Sequence, residues 1–228
     1  DWDGEVRRES DHFGAHAAAT AALAERGLVY ECYCTRREIA DAPRAPHSPP
    51  GSYPGTCRDL PESERARRRE SLGPGRRPAL RLRAEVTEVT ILDRVHGPYT
   101  GVVDDVVLRR GDGEWAYNLA VVVDDAAQGV DQVVRGEDLL SSTPRQAHLA
   151  DLLGVPRPEY VHVPLVTGAD GRRLSKRDGA VTLAELAEEG TTTRQVVARI
   201  VASLGGPDEA DSIEALRGLV TPESLRAA

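Results

Sequence analysis

Methionine is absent from the 228 residues, phenylalanine occurs once, at Phe13, and aromatic residues make up only 4% of the chain. A chain without methionine has no initiator, so Asp1-Trp2-Asp3-Gly4 reads as a start inside an element, and a missing N-terminal segment is expected. Lysine is nearly missing too. Of 29 basic residues every one but Lys176 is arginine. Against that background a retained ammonium marks a place where a guanidinium does not serve, because the two groups differ in shape and hydration. Three cysteines, all within residues 32–57, are too few and odd in number for a disulfide framework, which points to a reducing cytoplasm. No run approaches the roughly 20 apolar residues that span a bilayer. Nor is any basic stretch followed by an apolar one, as an export signal would require.

What is present is ordinary for a globular protein, with 40% apolar and 29% charged residues. The length suits one large domain, or one domain with a small insert. A net charge of −8 argues against a protein that coats nucleic acid nonspecifically. The charge is uneven, however. Residues 65–83 carry Arg65, Arg67, Arg68, Arg69, Arg76, Arg77, Arg81 and Arg83 against Glu70 alone. Two readings stay open, a solvated helix face with a basic linker and a local phosphate-contacting patch.

Alternating segments follow along the chain. Residues 10–26 read as an alanine-rich helix that Ser10 caps and Gly27 ends. Thr35 with Glu38 makes a capping box for a short helix, and Thr182 with Glu185 opens another. Residues 42–55 are rich in proline and glycine and read as a loop, while residues 61–71 read as a surface helix. Residues 79–109 hold alternating or β-branched runs, which predict strands. By length, residues 117–127 are helix, followed by a short buried strand at Gln132-Val133-Val134. Thr143 reads as the cap of a helix that Pro144 begins and Gly154 ends, residues 161–166 are strand-like, and residues 193–204 form a further helix. Strands alternating with helices predict an α/β core with a partly parallel sheet, and the strands of residues 79–109 predict an inserted or antiparallel part.

Two constellations could carry chemistry. The loop Gly171-Arg172-Arg173-Leu174-Ser175-Lys176-Arg177-Asp178-Gly179 sets cations and one hydroxyl between flexible residues, a composition able to fold over a polyphosphate. Taken alone, a basic surface loop is the commoner explanation. Cys32-x-Cys34 with Cys57 is a reasonable thiolate site for tetrahedral zinc, which wants four ligands. His47 is an ordinary fourth candidate within reach by sequence.

Residues 173–177, Arg-Leu-Ser-Lys-Arg, resemble the K-M-S-K-S loop of class I aminoacyl-tRNA synthetases. Upstream of it come Tyr117-Asn118-Leu119-Ala120-Val121-Val122-Val123-Asp124-Asp125, then Val133-Val134-Arg135-Gly136-Glu137-Asp138-Leu139-Leu140 and Ser142-Thr143-Pro144-Arg145-Gln146. Together these are closely similar to the glutamyl-tRNA synthetase family. Within it the likeness, which also takes in Cys32-Tyr33-Cys34-Thr35-Arg36-Arg37-Glu38-Ile39, is to the short paralogue without an anticodon-binding domain. The likeness covers nearly the whole chain and weakens after about residue 190.

The resemblance implies a Rossmann-like α/β class I catalytic core with a small zinc-binding insert. The expected division is residues 1–31 as part of the core, 32–60 as the insert, and 61–228 as the rest of the core with short C-terminal helices. It implies ATP-dependent activation of glutamate and transfer to the queuosine base of tRNA(Asp), by a monomer, with Mg²⁺ accompanying ATP. Tyr117 and Arg135 would hold glutamate; a guanidinium matches a carboxylate bidentately and a phenol adds a hydrogen bond. Lys176 would stabilise developing phosphate charge, with Ser175 and Arg173 also at ATP. One structural Zn²⁺ would be held by Cys32, Cys34, Cys57 and, as fourth ligand, Tyr53. Asp124 and Asp125 are expected in a helix-terminal structural role, and Glu137 and Asp138 in shaping a loop. The family's H-I-G-H-type motif belongs before Asp1. None of His12, His16, His47, His96, His148 or His162 sits in one, so this polypeptide alone is expected to activate glutamate poorly. The rivals are a truncated glutamyl-tRNA synthetase charging tRNA(Glu) and a catalytically inactive tRNA-binding module using the 65–83 arginines. The short helices after residue 190 are too little for an anticodon-binding domain and favour the paralogue over the first if the chain's end is the natural one.

Overall fold

The structure, a computed structural model, describes residues 4–42, 52–165, 182–203, 206–207 and 212–227. Within them the chain runs α1 (Phe13–Glu25), β1 (Val29–Cys32), α2 (Arg36–Asp41), α3 (Glu62–Glu70), β2 (Ala79–Leu82), β3 (Glu88–Asp93), β4 (Gly97–Val102) and β5 (Val107–Arg109). It continues with α4 (Tyr117–Gln128), β6 (Gln132–Gly136), α5 (Thr143–Leu153), β7 (Glu159–Val163), α6 (Leu183–Glu188), α7 (Thr193–Ser203), α8 (Ile213–Leu219) and α9 (Pro222–Ala227). Among the described residues no helix is long and apolar enough to cross a membrane.

Local chemistry sets most of these ends. Thr35 and Glu38 close a reciprocal capping box on α2, and Thr182 and Glu185 close another on α6. Helix α5 ends at Gly154, whose φ of 68° is the left-handed conformation that lets Val155 N–H donate to the Ala150 carbonyl at 3.0 Å. Two expected caps differ. Ser10 falls in a 3-10 turn, Glu9–His12, that leads into α1, and its hydroxyl donates to Asp11 instead of accepting a backbone N–H of the helix. Thr143 is the first residue of α5, not its cap, and is fully buried.

The chain divides into two compact units. The larger comprises Asp1–Ile91, Thr100–Asp131 and Ser141–Pro158. Here the antiparallel sheet β1-β2-β5 pairs Val29 with Leu82 and Cys32 with Ala79. Its core gathers Leu23 from α1, Leu82 and Leu108 from the sheet, Leu119 from α4 and Leu149 from α5, each with no exposed surface. Burying each such leucine contributes about 2 kcal/mol. The smaller unit comprises Leu92–Tyr99, Gln132–Leu140 and Glu159–Ala228. In it β6 and β7 run parallel, with Arg135 beside His162 and Gly136 beside Val163, and Asp93 at the end of β3 pairs in parallel with Tyr160. The strand order of this second sheet is β4-β3-β7-β6; its parallel pairs and the antiparallel β1-β2-β5 sheet are the expected parallel and antiparallel parts.

Candidate functional site

The thiols come together at the end of β1. Cys32 is its last residue, Cys34 lies just beyond, and Cys57 sits in a turn; the three sulfurs lie within 4.8 Å of one another. Cys34 Sγ and Cys57 Sγ are 3.5 Å apart, close to the separation of about 3.8 Å that two thiolates have on one tetrahedral zinc. The Tyr53 hydroxyl is 3.4 Å from Cys32 Sγ and 3.9 Å from Cys34 Sγ, and it accepts the Cys57 backbone N–H at 2.8 Å. Hydrogen bonds from Cys32 and then Cys34 hold the Cys57 thiol well below its ordinary range, whereas bonds with Cys32 and then Cys57 push Cys34 up. Thiols packed this way cannot all ionise unless a cation shares their charge. The donor set fits a divalent soft metal. His47 lies outside the described residues.

Two neighbouring carboxylates anchor this cluster, and the sequence reading missed both. Asp105, buried, accepts the Tyr30 hydroxyl at 2.6 Å, Arg58 Nη1 at 2.9 Å and the Ala84 N–H at 2.8 Å. Asp104 accepts the Tyr53 N–H at 2.8 Å and also receives Arg145 Nε. The Arg81 guanidinium lies 3.6 Å over the Tyr53 ring and donates to the Asp105 carbonyl. Replacing Asp105 by asparagine would turn an N–H toward Tyr30 and remove the charge facing Arg58. A loss of about 2 kcal/mol is expected. A thermal melt within a degree or so of wild type would show that the node carries no such weight.

Tyr117, the first residue of α4, is 53% exposed. It lines a cavity of about 470 Å³ together with Arg36, Arg81, Asp104, Asn118 and Arg145, all of the larger unit. Asn118 is oriented by Gln146, whose side-chain amide donates to its carbonyl oxygen at 3.0 Å.

Arg135 belongs to the smaller unit. Its Nε donates to His162 Nε2 at 3.0 Å, and His162 Nδ1 lies 2.7 Å from Asp93 Oδ2. Asp93 Oδ1 accepts the N–H groups of Val95 and His96, both at 2.9 Å, and Oδ2 also accepts the His162 N–H at 3.1 Å. Burial works to raise the Asp93 pKa, but the His162 bond and the backbone amides together hold it below the ordinary carboxylate range. Burial, with Arg135 adding to it, lowers His162. After Arg135 comes Gly136, where a Cβ would fall 2.7 Å from Asp138 Oδ1 and 2.9 Å from Leu165 Cδ2, so a larger residue there would have to push both side chains aside. Glu137 accepts the Leu165 N–H at 3.4 Å, in keeping with loop shaping. Asp124 is occupied by His16 Nε2 at 3.1 Å, a tie between α4 and α1.

Lys176, Ser175 and Arg173 lie outside the described residues. The basic run is largely spent inside the protein. Arg67 and Arg68 both donate to Glu64, and Arg69 to Glu31. Arg65 donates to the Leu60 carbonyl, Arg83 to Asp59, and Arg81 is buried. Of the two open readings, the solvated helix face describes Arg67–Arg69 better than a phosphate patch.

A mixed-sheet α/β core with a parallel β6–β7 pair is the architecture of a class I synthetase catalytic domain. The chain belongs to that family: the description "tRNA synthetases class I (E and Q), catalytic domain" matches residues 1–222. It is 63% identical over 207 residues to the glutamyl-Q tRNA(Asp) synthetase of Nocardia farcinica (strain IFM 10152), covering 91% of this chain and 66% of that protein. To the enzyme of the same name from Cutibacterium acnes (strain DSM 16379 / KPA171202) it is 49% identical, covering 97% and 62%. The chain thus spans less than two thirds of the length of these relatives. A crystal structure of a glutamate tRNA ligase from Elizabethkingia meningosepticum CCUG26117, in complex with its amino acid, shares the fold with a TM-score of 0.72 at 21% identity, over 100% of this chain and 51% of that one.

Proposed function

We propose that this chain is part of an enzyme that activates glutamate with ATP and transfers the glutamyl group to the queuosine base of tRNA(Asp). The observation that carries the reading is the 63% identity to a glutamyl-Q tRNA(Asp) synthetase over 91% of the chain. Tyr117 and Arg135 orient glutamate, the guanidinium meeting a carboxylate and the phenol adding a hydrogen bond. The glutamate carboxylate oxygen attacks the α-phosphorus of ATP, pyrophosphate leaves, and a hydroxyl of the acceptor base then displaces AMP from the mixed anhydride. Lys176 takes the role of stabilising the phosphate charge that builds up during the first step, with Ser175 and Arg173 also assigned to ATP and Mg²⁺ entering with it. No covalent enzyme intermediate is needed; positioning and charge stabilisation suffice.

The 32–60 segment is read as a small insert of the core, with a structural zinc held by Cys32, Cys34, Cys57 and the Tyr53 phenol. When bound, the metal clamps the end of β1 to the turn at Cys57. Four protein ligands leave no open position, so it takes no part in the chemistry.

The intact enzyme is expected to form glutamyl-adenylate with no tRNA present, and to label tRNA(Asp) that carries queuosine but not the same tRNA lacking it. Activation that depends on tRNA(Glu), with label appearing at the tRNA terminus, would replace this reading with that of a glutamyl-tRNA synthetase.

A further inference from the structure

We infer that His162 is a positioning residue for the amino-acid substrate: a neutral imidazole, oriented by Asp93, that fixes the guanidinium plane of Arg135. The inference rests on the proposal that Arg135 holds a carboxylate of glutamate. The protonation pattern follows from donor and acceptor inventories alone. A guanidinium has donors and no acceptor, so an Nε–H pointing at His162 Nε2 from 3.0 Å requires a bare lone pair there. The ring proton is therefore on Nδ1, where it is donated to Asp93 Oδ2 at 2.7 Å. Both His162 and Asp93 are sealed from water, at 0% and 1% exposure. Three backbone N–H groups hold the carboxylate in place, so its free choice of orientation is gone.

The register makes this arrangement. Parallel pairing puts Arg135 of β6 directly beside His162 of β7, and β7 lies in turn beside the end of β3 that carries Asp93. A direct Asp93–Arg135 ion pair would have turned the guanidinium toward the carboxylate and offset its charge. With a neutral ring between them, Asp93 does not draw the guanidinium onto itself, and the Nε edge of Arg135 is fixed. An arginine can offer a carboxylate two parallel N–H bonds from its Nε side or from its Nη1/Nη2 end. Because Nε is engaged by His162, the paired bonds must come from the Nη1/Nη2 end. His162 thereby sets the direction from which the substrate carboxylate is met, which is how a residue that touches no substrate governs its binding.

Glutamate-dependent ATP–pyrophosphate exchange by the intact enzyme tests this. His162→Leu is expected to raise the KM for glutamate about tenfold and to leave the KM for ATP within about twofold. His162→Gln, whose side-chain oxygen can accept from Arg135 Nε, is expected to stay within about threefold of wild type. The inference is overturned if His162→Leu leaves the glutamate KM unchanged while Arg135→Leu abolishes activation. If Arg135→Leu is itself without effect, the role given to Arg135 falls, and this inference with it. Should the leucine variant not fold, nitrogen NMR of the wild-type ring decides. A proton on Nδ1 at neutral pH supports the arrangement, and one on Nε2, or on both nitrogens, overturns it.

Discussion

Replacing Arg135 by leucine is expected to lower kcat/KM for glutamate about a thousandfold, or about 4 kcal/mol. Two losses combine. The substrate carboxylate forfeits a charge-assisted pair of hydrogen bonds, each stronger than a neutral one. His162, whose Nε2 accepts from Arg135 at 3.0 Å, is left as a buried acceptor with that donor removed. Arg135→Lys should recover only part of the activity, because an ammonium is a point donor that cannot serve the ring and a carboxylate with one rigid plane. The KM for ATP should move little, since the nucleotide is assigned to Lys176, Ser175 and Arg173. Steady-state pyrophosphate exchange over a range of glutamate concentrations measures this, and a variant within about threefold of wild type would falsify the assignment of Arg135.

Replacing Cys57 by serine is expected to abolish binding of the proposed zinc and cost more than about 4 kcal/mol of stability. Cys57 has 1% of its surface exposed, and its sulfur lies 3.5 Å from that of Cys34. A serine oxygen at that place is a poor anion and a harder donor, so the metal would lose a ligand, not exchange one. Without the cation, the remaining thiols and the Tyr53 phenol are left crowded together with no counter-charge. The wild-type protein should carry roughly one zinc per chain by elemental analysis, and the serine variant close to none, with a matching fall in melting temperature. Zinc-free wild-type protein with an unchanged melt would remove the metal from the account. Tyr53→Phe should be milder, because the three sulfurs remain.

What could be read from the sequence was mostly local. The capping boxes of Thr35 with Glu38 and Thr182 with Glu185 depend on residues three apart, and both form as the sequence implies. The helix from Tyr117 and the glycine stop at Gly154 follow from apolar length and backbone freedom in the same way. Ser10 shows the limit of such signals. A capping residue was present, but the chain enters α1 through a 3-10 turn that points its hydroxyl elsewhere. The Asp93–His162 bond joins residues 69 apart and exists because two strands run parallel, which no window of sequence displays. A histidine set inside the apolar strand Glu159-Tyr160-Val161-His162-Val163 was the available hint. Asp104 and Asp105 were hidden differently: paired acids at the end of a β-branched run look like a surface turn, yet Asp105 is buried under three donors. The thiols were legible by spacing, but their approach to the Tyr53 hydroxyl came from the likeness to a family.

The arginines of α3 carry a last consequence. Glu64 accepts from Arg67 and Arg68 at the same time, and Arg69 has both Glu31 and Glu62 within 4 Å. Such doubling makes the helix tolerant of error: losing either Arg67 or Arg68 still leaves Glu64 a counter-charge. Arg67 or Arg68 can therefore drift singly without uncovering an acidic spot, whereas Arg69, one cation serving two acids, is the position of this helix least free to change.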